Sequence, residues 1–143
     1  MSAKYHISIG AVVYTKIQEE VHVLLLFREA TQTYHLPKGT QEFGETDEQT
    51  VVREVREESG CEIVLEKKLG FVLSSFVREG SRIEKKTFYF AARYAGGTVE
   101  TADGEHDCAD FYPLDRAIQL VELQGGHTLG FEDERIILKR FLG

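Results

Sequence analysis

Seven acidic residues are concentrated in residues 39–61 of a chain of 143 residues. They are Glu42, Glu45, Asp47, Glu48, Glu54, Glu57 and Glu58. Two arginines, Arg53 and Arg56, are the only basic residues among them, so this window has a net charge of −5, against −7 for the whole chain. Because the acidity is local, it indicates a local chemical role rather than a generally acidic surface.

Residues 47–59 are predicted to form the helix that carries three of these glutamates. Thr46 and Gln49 have the types and the spacing of a capping box, in which each side chain bonds the other residue's backbone N–H. Gly60 follows the last helical position, where glycine is favoured because it adopts positive φ without strain. These signals set both ends of the helix.

Glu54, Glu57 and Glu58 fall on one side of this helix, because residues three and four apart share a face. At separations of about 5–6 Å, each like-charge pair costs roughly 3 kcal/mol at an effective dielectric constant of about 20. A bound cation would remove that cost, and oxygen ligands favour Mg²⁺ or Mn²⁺ over zinc. The alternative is a solvated acidic face partnered by Arg53 and Arg56, and the helix by itself favours this alternative.

The spacing around the helix follows a longer pattern. Five residues separate Gly39 from Glu45, and seven more precede the run Arg53-Glu54-Val55-Arg56-Glu57-Glu58-Ser59-Gly60-Cys61. This arrangement resembles the Nudix box, GX5EX7REUXEEXGU, at every Gly, Glu and Arg position. Cys61 stands where the family usually has Ile, Leu or Val, and we expect it to pack in the core because cysteine buries readily.

The resemblance implies hydrolysis of a phosphoanhydride bond in a nucleoside diphosphate linked to a further group, with Mg²⁺ or Mn²⁺ as cofactor. The residues that correspond to the family's metal ligands are Glu54, Glu57, Glu58 and, through its backbone carbonyl, Gly39. The three glutamates are also the implied catalytic carboxylates. Arg53 would orient a glutamate, and Glu45 would brace the loop against the helix. Bound metals would bridge phosphate oxygens while one carboxylate activates water.

Three short matches outside the box resemble the diadenosine tetraphosphate hydrolases of this family. Pro37-Lys38-Gly39 carries a lysine that faces the phosphates in those enzymes. Lys85-Lys86-Thr87-Phe88-Tyr89-Phe90 resembles a lysine- and tyrosine-bearing strand whose tyrosine stacks on adenine. Glu105-His106 resembles a segment whose glutamate is a further metal-site carboxylate and candidate base. The implied reaction is asymmetric cleavage of diadenosine tetraphosphate to ATP and AMP.

Each of these substrate contacts has an alternative. The chain has no Trp, and Tyr34 and Phe111 occupy places where those hydrolases commonly have one, although another aromatic ring can also stack on a base. Tyr89 is equally a candidate for a core or cross-strand position, and Lys85 for a solvated charge near a hairpin end. Arg28, at the end of a predicted strand, could reach the substrate phosphates.

Other functions stay open at this point. A nucleoside triphosphate pyrophosphatase that removes oxidised guanine nucleotides shares the box and differs in its base pocket. Removal of pyrophosphate from RNA 5′ ends is a third enzymatic option, and the absence of a basic patch counts against it. A non-catalytic nucleotide-binding module of the same family would be expected to lose box glutamates, and this chain keeps them all.

The elements that must position the box are predicted from apolar patterns and turn residues. Strands are predicted at 4–14, 21–27, 69–77, 86–94 and 108–112, and further helices at 114–121 and 131–142. Residues 69–77 and 86–94 would form a hairpin, and residues 28–45 a long loop. The resulting fold class is α/β, a Nudix-type α/β/α sandwich with a mixed β-sheet, forming one domain over residues 1–143.

Charge and composition limit the classes of molecule that this protein is expected to bind. The charge of −7 argues against a general nucleic-acid or membrane-surface binder. No stretch approaches the roughly 18 apolar residues of a membrane span, and the N-terminus has no apolar signal core. Cys61 and Cys108 are expected to be free thiols in a reducing compartment. We therefore expect a cytoplasmic protein that binds a small nucleotide, with its oligomeric state left open.

Overall fold

The computed structural model describes residues 3–101, 104–124 and 134–143. Its strands are β1 (Ala3–Ile17), β2 (Glu20–Arg28), β3 (Thr33–His35), β4 (Lys38–Thr40), β5 (Glu62–Arg78), β6 (Ser81–Gly96) and β7 (Cys108–Pro113). Its helices are α1 (Asp47–Ser59), α2 (Leu114–Gln124) and α3 (Glu134–Leu142). None of these described helices is both long and apolar enough to cross a membrane.

The strands form one mixed sheet. Five of them lie in the order β3-β2-β1-β6-β5, while β4 pairs with β1 and β7 pairs with β2. β1 and β6 run parallel, and the other pairings are antiparallel. The predicted α/β fold with a mixed sheet is confirmed. The β5–β6 hairpin is longer than predicted, because β5 continues the ladder through charged residues and register shifts that interrupt its apolar pattern.

The sheet separates two apolar cores. Val23 and Leu25 of β2 belong to the core that α2 and α3 cover, whereas Leu24 belongs to the core beneath α1. This alternation explains the continuous apolar run in β2, since a strand covered on both faces needs apolar side chains at consecutive positions. Cys61 is fully buried in the core beneath α1, as predicted.

α1 spans Asp47–Ser59, the range predicted from its capping residues. The Gln49 N–H donates to the Thr46 hydroxyl at 3.1 Å, and the Thr46 N–H donates to the Gln49 side chain at 2.9 Å. Gly60 ends the helix with φ 74°, and a Cβ there would lie 2.2 Å from the carbonyl oxygen of Thr98. Backbone conformation and close packing therefore both require glycine at this position.

The loop predicted over residues 28–45 contains two short strands, β3 and β4, that no sequence pattern predicts. β1 and β2 pair only between residues 14–17 and 20–23, so β4 takes the same edge of β1 at residues 8–10. Three-residue strands have no periodic pattern of their own, and their pairing is decided by the tertiary structure around them. This pairing fixes the loop in front of α1.

The elements after the hairpin lie close to their predicted positions. β7 covers Cys108–Pro113, and α2 begins at Leu114 and continues to Gln124, beyond its predicted end. The C-terminal helix is observed over Glu134–Leu142, while residues 131–133 of its predicted range lie outside the described residues. α2 and α3 together cover the face of the sheet opposite α1.

Candidate active site

β4 runs beside α1 and fixes two of its glutamates. The Lys38 backbone N–H donates to Glu58 Oε1 at 2.8 Å. Gly39 lies directly against the Glu54 carboxylate, because a Cβ at position 39 would be only 2.0 Å from Glu54 Cδ. Glu58 is buried, and the Glu54 side chain is 15% exposed. A residue without a side chain at position 39 is thus the condition for this close approach.

The guanidinium of Arg53 links the glutamates of the box. Its Nε and Nη2 donate to the two carboxylate oxygens of Glu45, at 2.6 and 2.9 Å. Its Nη1 donates to Glu54 at 2.8 Å and to Glu57 at 3.2 Å. Nη2 also donates to the Thr40 carbonyl of β4, at 3.2 Å. One arginine therefore ties the loop, the helix and β4 together and holds Glu54 and Glu57 side by side.

The electrostatics of the box differ from one carboxylate to the next. The hydrogen bonds from Arg53 hold the pKa of Glu45 at about 2, well below its ordinary value. Burial raises the pKa of Glu54, although Arg53 opposes that shift. The pKa of Arg53 is itself raised, chiefly by its hydrogen bonds to Glu45. Glu45 is thus a fixed anion, whereas Glu54 is a desolvated carboxylate that a nearby cation would stabilise.

A second group of possible ligand atoms adjoins Glu58. One atom each from Glu58, Glu105 and His106 lies within 4.8 Å of the others. His106 Nδ1 is 4.0 Å from Glu58 Oε2, and the His106 side chain is almost fully buried. Glu105 is largely exposed and forms an ion pair with Arg28 at the end of β2. The segment after residue 103 therefore brings a carboxylate and an imidazole to the same end of α1.

These residues fit a hard divalent cation. The box glutamates offer carboxylate oxygens, the donors that suit Mg²⁺ or Mn²⁺, and in the described part of the chain Glu58 has ligand atoms of Glu105 and His106 within 4.8 Å, while Glu54 and Glu57 lie outside that group. The desolvated Glu54 carboxylate lies in a cradle beside Gly39 that even a methyl group would fill. Because a nitrogen of His106 lies close to Glu58, the site could also accept a metal that binds imidazole.

Two of the predicted substrate contacts, Lys38 and Arg28, are connected to box residues, and a third, Tyr34, packs against other aromatic rings. Lys38 adjoins Gly39 in β4, and Arg28 reaches the box region through its ion pair with Glu105. Tyr34 in β3 is partly buried, with its ring 4.8 Å from the ring of Phe27. The Tyr34 ring also makes an edge-to-face contact with Tyr112, so much of its surface is used in packing against the core that α2 and α3 cover.

Tyr89 and Lys85 lie in β6, and Tyr89 takes the core position that was the alternative to base stacking, while a substrate contact by Lys85 stays a prediction. Tyr89 is 1% exposed, and its Cε1 would lie 2.7 Å from a Cβ at Gly10. It offers no open face for base stacking, because β6 is an inner strand whose residues here are covered by the α2 and α3 core. Lys85 is four residues nearer the hairpin turn than Tyr89, roughly 13 Å along the strand.

Two residues near the box received no role from the sequence. His106 stands next to Glu105, and that adjacency was the only signal for it. Glu134, the first residue of α3, is buried, and its Oε2 accepts a hydrogen bond from the Leu36 N–H at 3.2 Å. Sequence reasoning had no signal for Glu134, because acids are common and usually exposed at the start of a helix.

Comparison with known proteins identifies the family. A family model described as NUDIX domain matches residues 4–129. The chain therefore belongs to the Nudix family. This membership confirms the predicted class, a Nudix hydrolase domain.

Individual relatives differ in what their names state. An 8-oxo-(d)GTP phosphatase of Mycolicibacterium smegmatis is 32% identical over 122 residues, covering 85% of this chain and 34% of that protein. The 8-oxo-dGDP phosphatase NUDT18 of Mus musculus is 38% identical over 105 residues, covering 68% of this chain and 30% of that protein. The chain thus spans about a third of the length of these curated relatives.

A solved structure shares the fold over nearly the whole chain. The crystal structure of a C. elegans Ap4A hydrolase binary complex superimposes with a TM-score of 0.69 and 19% identity, covering 96% of this chain and 95% of that one. At this identity the likeness concerns the fold alone.

Replacing Gly39 by alanine should weaken Mn²⁺ binding about tenfold or more, because the new methyl group would displace the Glu54 carboxylate. Calorimetric titration of the metal checks this. Gly44→Ala is the matched control, since Gly44 has φ 85° and no atom within 4 Å of an added Cβ. That variant should lose roughly 1 kcal/mol of stability and keep the affinity of the wild type. Equal affinities in all three proteins would contradict the assignment.

Acid should weaken the fold partly through Glu45. Its pKa is about 2 in the folded chain and 4.5 ordinarily, so protons favour the unfolded chain as the pH falls from 4.5 to 2. The stabilisation by Glu45 is therefore fully present above pH 4.5 and is lost across that window. Urea unfolding of wild type and Glu45→Gln at several pH values should give free energies that converge toward pH 2. A constant difference would show that the Arg53 contact does not act as described.

Proposed function

We propose that this protein is a divalent-cation-dependent pyrophosphohydrolase that cleaves a phosphoanhydride bond of a nucleotide. The observation that carries the proposal is the placement of three glutamates on one helix, with Glu54 and Glu57 sharing Arg53 and with Glu58 within 4.8 Å of ligand atoms of Glu105 and His106. Arg53 and the backbone of residues 38–39 hold them there. Arg53 neutralises part of the charge on Glu54 and Glu57, and the carboxylate charge that remains suits a divalent cation.

The groups that would hold the cation are Glu54, Glu57, Glu58, Glu105 and the carbonyl of Gly39. When bound, a divalent cation neutralises phosphate oxygens and lowers the pKa of a bound water. Without a cation, the net charge of −5 over residues 39–61 would repel a polyphosphate.

The groups around the carboxylates have separate tasks. Arg53 orients Glu54 and Glu57 through Nη1. The Lys38 N–H holds Oε1 of Glu58, and Oε2 of the same carboxylate lies 4.0 Å from His106 Nδ1. The Lys38 side chain, 21% exposed, leaves β4 one residue before Gly39 and would supply positive charge for the phosphates of a nucleotide.

Glu105 is the candidate general base. Its side chain is 61% exposed, so that it can meet a water molecule near the metal ligands, and one of its oxygens lies within 4.8 Å of an oxygen of Glu58. The ion pair with Arg28 holds it at the end of β2. This position suits proton abstraction from an attacking water at the edge of the cluster.

Oxidised guanine nucleotides are the substrate class that the comparisons favour. Two relatives that match more than two thirds of the chain bear the names 8-oxo-(d)GTP phosphatase and 8-oxo-dGDP phosphatase. The burial of Tyr89 points the same way, because the resemblance to diadenosine tetraphosphate hydrolases relied on that tyrosine to stack on adenine. We therefore place sanitation of oxidised nucleotides ahead of the expectation drawn from the flanking motifs.

Diadenosine tetraphosphate is the second candidate. Lys38 beside Gly39, and Glu105 and His106 beside Glu58, are the flanking residues that favour it. The likeness in fold to an Ap4A hydrolase is compatible with it and does not discriminate. A non-catalytic nucleotide-binding role is disfavoured, because the box retains each of its glutamates.

A panel of nucleotides assayed with Mg²⁺ separates these candidates. The proposal predicts a higher kcat/KM for 8-oxo-dGTP or 8-oxo-dGDP than for dGTP and diadenosine tetraphosphate, and complete loss of turnover in EDTA that Mg²⁺ restores. Faster release of AMP from diadenosine tetraphosphate would favour the second candidate. Tight binding of nucleotides without any turnover would instead indicate a binding module and would overturn the enzymatic proposal.

The box glutamates should be needed for turnover and not for folding. Glu57→Gln and Glu58→Gln should each lower kcat/KM by about 10²-fold or more, because the phosphates lose their positioning. Glu48→Gln is the matched control, since Glu48 is an exposed acid in the first turn of the same helix. Its activity should equal that of the wild type, and all three variants should show the far-UV circular dichroism of the folded protein. Full activity in both box variants would refute the assignment.

A further inference from the structure

Glu134 is a buried carboxylate at the start of α3. Only 3% of its side chain is exposed, and charged groups are rarely buried unless they are paired. Its Oε2 accepts the Leu36 N–H at 3.2 Å, which joins segments 98 positions apart. Within the described part of the chain, its Oε1 accepts no hydrogen bond. That oxygen instead lies 3.7 Å from Lys38 Nζ and 3.7 Å from His35 Nδ1.

The segment over residues 36–39 is held from two sides. Pro37 has no N–H, so the N–H groups of Leu36 and Lys38 are the donors on either side of it. The first donates to Glu134 and the second to Glu58, at 3.2 and 2.8 Å. The carbonyl of Pro37 accepts a hydrogen bond from the N–H of Ala11 in β1 at 3.1 Å. Glu134 therefore anchors, from α3, the same strand segment that positions a box glutamate.

We propose that Glu134 is a positioning residue for the proposed phosphoanhydride hydrolysis, acting through Lys38. Its Oε2 fixes the backbone at Leu36, and its Oε1 attracts the Lys38 ammonium. This attraction sets the direction in which the ammonium extends from β4. Lys38 then presents its charge to the phosphates of the nucleotide from a fixed position one residue before Gly39. The part of the inference that concerns phosphates rests on the proposed function.

The charge of Glu134 and its hydrogen-bonding oxygen can be separated. In Glu134→Gln the amide oxygen still accepts the Leu36 N–H, but the attraction for Lys38 is lost. A purely structural role would need only the hydrogen bond and the volume, which glutamine retains. The charge therefore has a consequence for Lys38 that the docking of α3 does not require.

A double-mutant cycle of Glu134→Gln and Lys38→Met tests the kinetic part of the inference. Glu134→Gln should raise the KM of the best nucleotide from the panel about tenfold while changing kcat little. In the Lys38→Met background the same change should have no further effect. Arg140→Met is the matched control, because Arg140 ties α3 to the Leu69 carbonyl at 3.2 Å at the other end of the helix. It should lower the Tm and leave KM unchanged.

Three results of this cycle would overturn the inference. The first is an unchanged KM in Glu134→Gln, and the second is the full increase in KM when Glu134→Gln is made in the Lys38→Met background. The third is an increase in KM by the same factor in Arg140→Met. The third result would mean that only the docking of α3 matters.

Amide hydrogen exchange, followed by NMR without nucleotide or metal, tests the anchor independently of turnover. Glu134→Met should lose protection at the Leu36 and Lys38 amides, while Glu134→Gln should keep it at Leu36. Unchanged protection in a folded Glu134→Met protein would overturn the inference. A wild type that hydrolyses no nucleotide would refute the proposed function alone, since the exchange result decides the anchor either way. If Glu134→Met does not fold, the test is the Leu36 amide of Glu134→Gln. Retained protection there supports the proposed hydrogen bond, and loss of protection contradicts it.

Discussion

The site depends on the way this fold keeps several carboxylates close together. Glutamates three and four positions apart on a helix repel one another, by up to roughly 3 kcal/mol per pair at an effective dielectric constant of about 20 and by less where water screens them. Arg53 offsets that repulsion, because its planar fork of donors reaches Glu45, Glu54 and Glu57 at once. A lysine could not replace it, since a single ammonium cannot hold these oxygens in the same bidentate geometry.

The crowded carboxylates of α1 also need backbone partners, and β4 supplies them. β4 uses the edge of β1 that β2 leaves, and this pairing brings the backbone of residues 38–40 against the side of α1. There the Lys38 N–H meets Glu58, Gly39 makes room for Glu54, and the Thr40 carbonyl meets Arg53. The sheet topology thus places hydrogen-bonding groups of β4 beside the charged side chains of α1, and the helix and strand together form the candidate site.

How much could be predicted from sequence depends on how local each signal is. α1 and its glutamates follow from caps and fixed spacing, which are properties of neighbouring residues. β4 could not be predicted, because its pairing depends on where β1 and β2 separate. Tyr89 could not be assigned, since an alternating strand looks the same whether its tyrosine faces a core or a ligand. Glu134 gave no signal, because a partner 98 positions away decides its burial.

The position of a bound metal is the most direct test of the account. A crystal grown with Mn²⁺ and a non-hydrolysable nucleotide analogue would locate the ion by its anomalous scattering. The account predicts a peak at the end of α1, about 2–2.5 Å from carboxylate oxygens of Glu54 and Glu58, with the nucleotide phosphates against it. A nucleotide and its metal bound away from α1, with both glutamates unligated, would contradict the central claim.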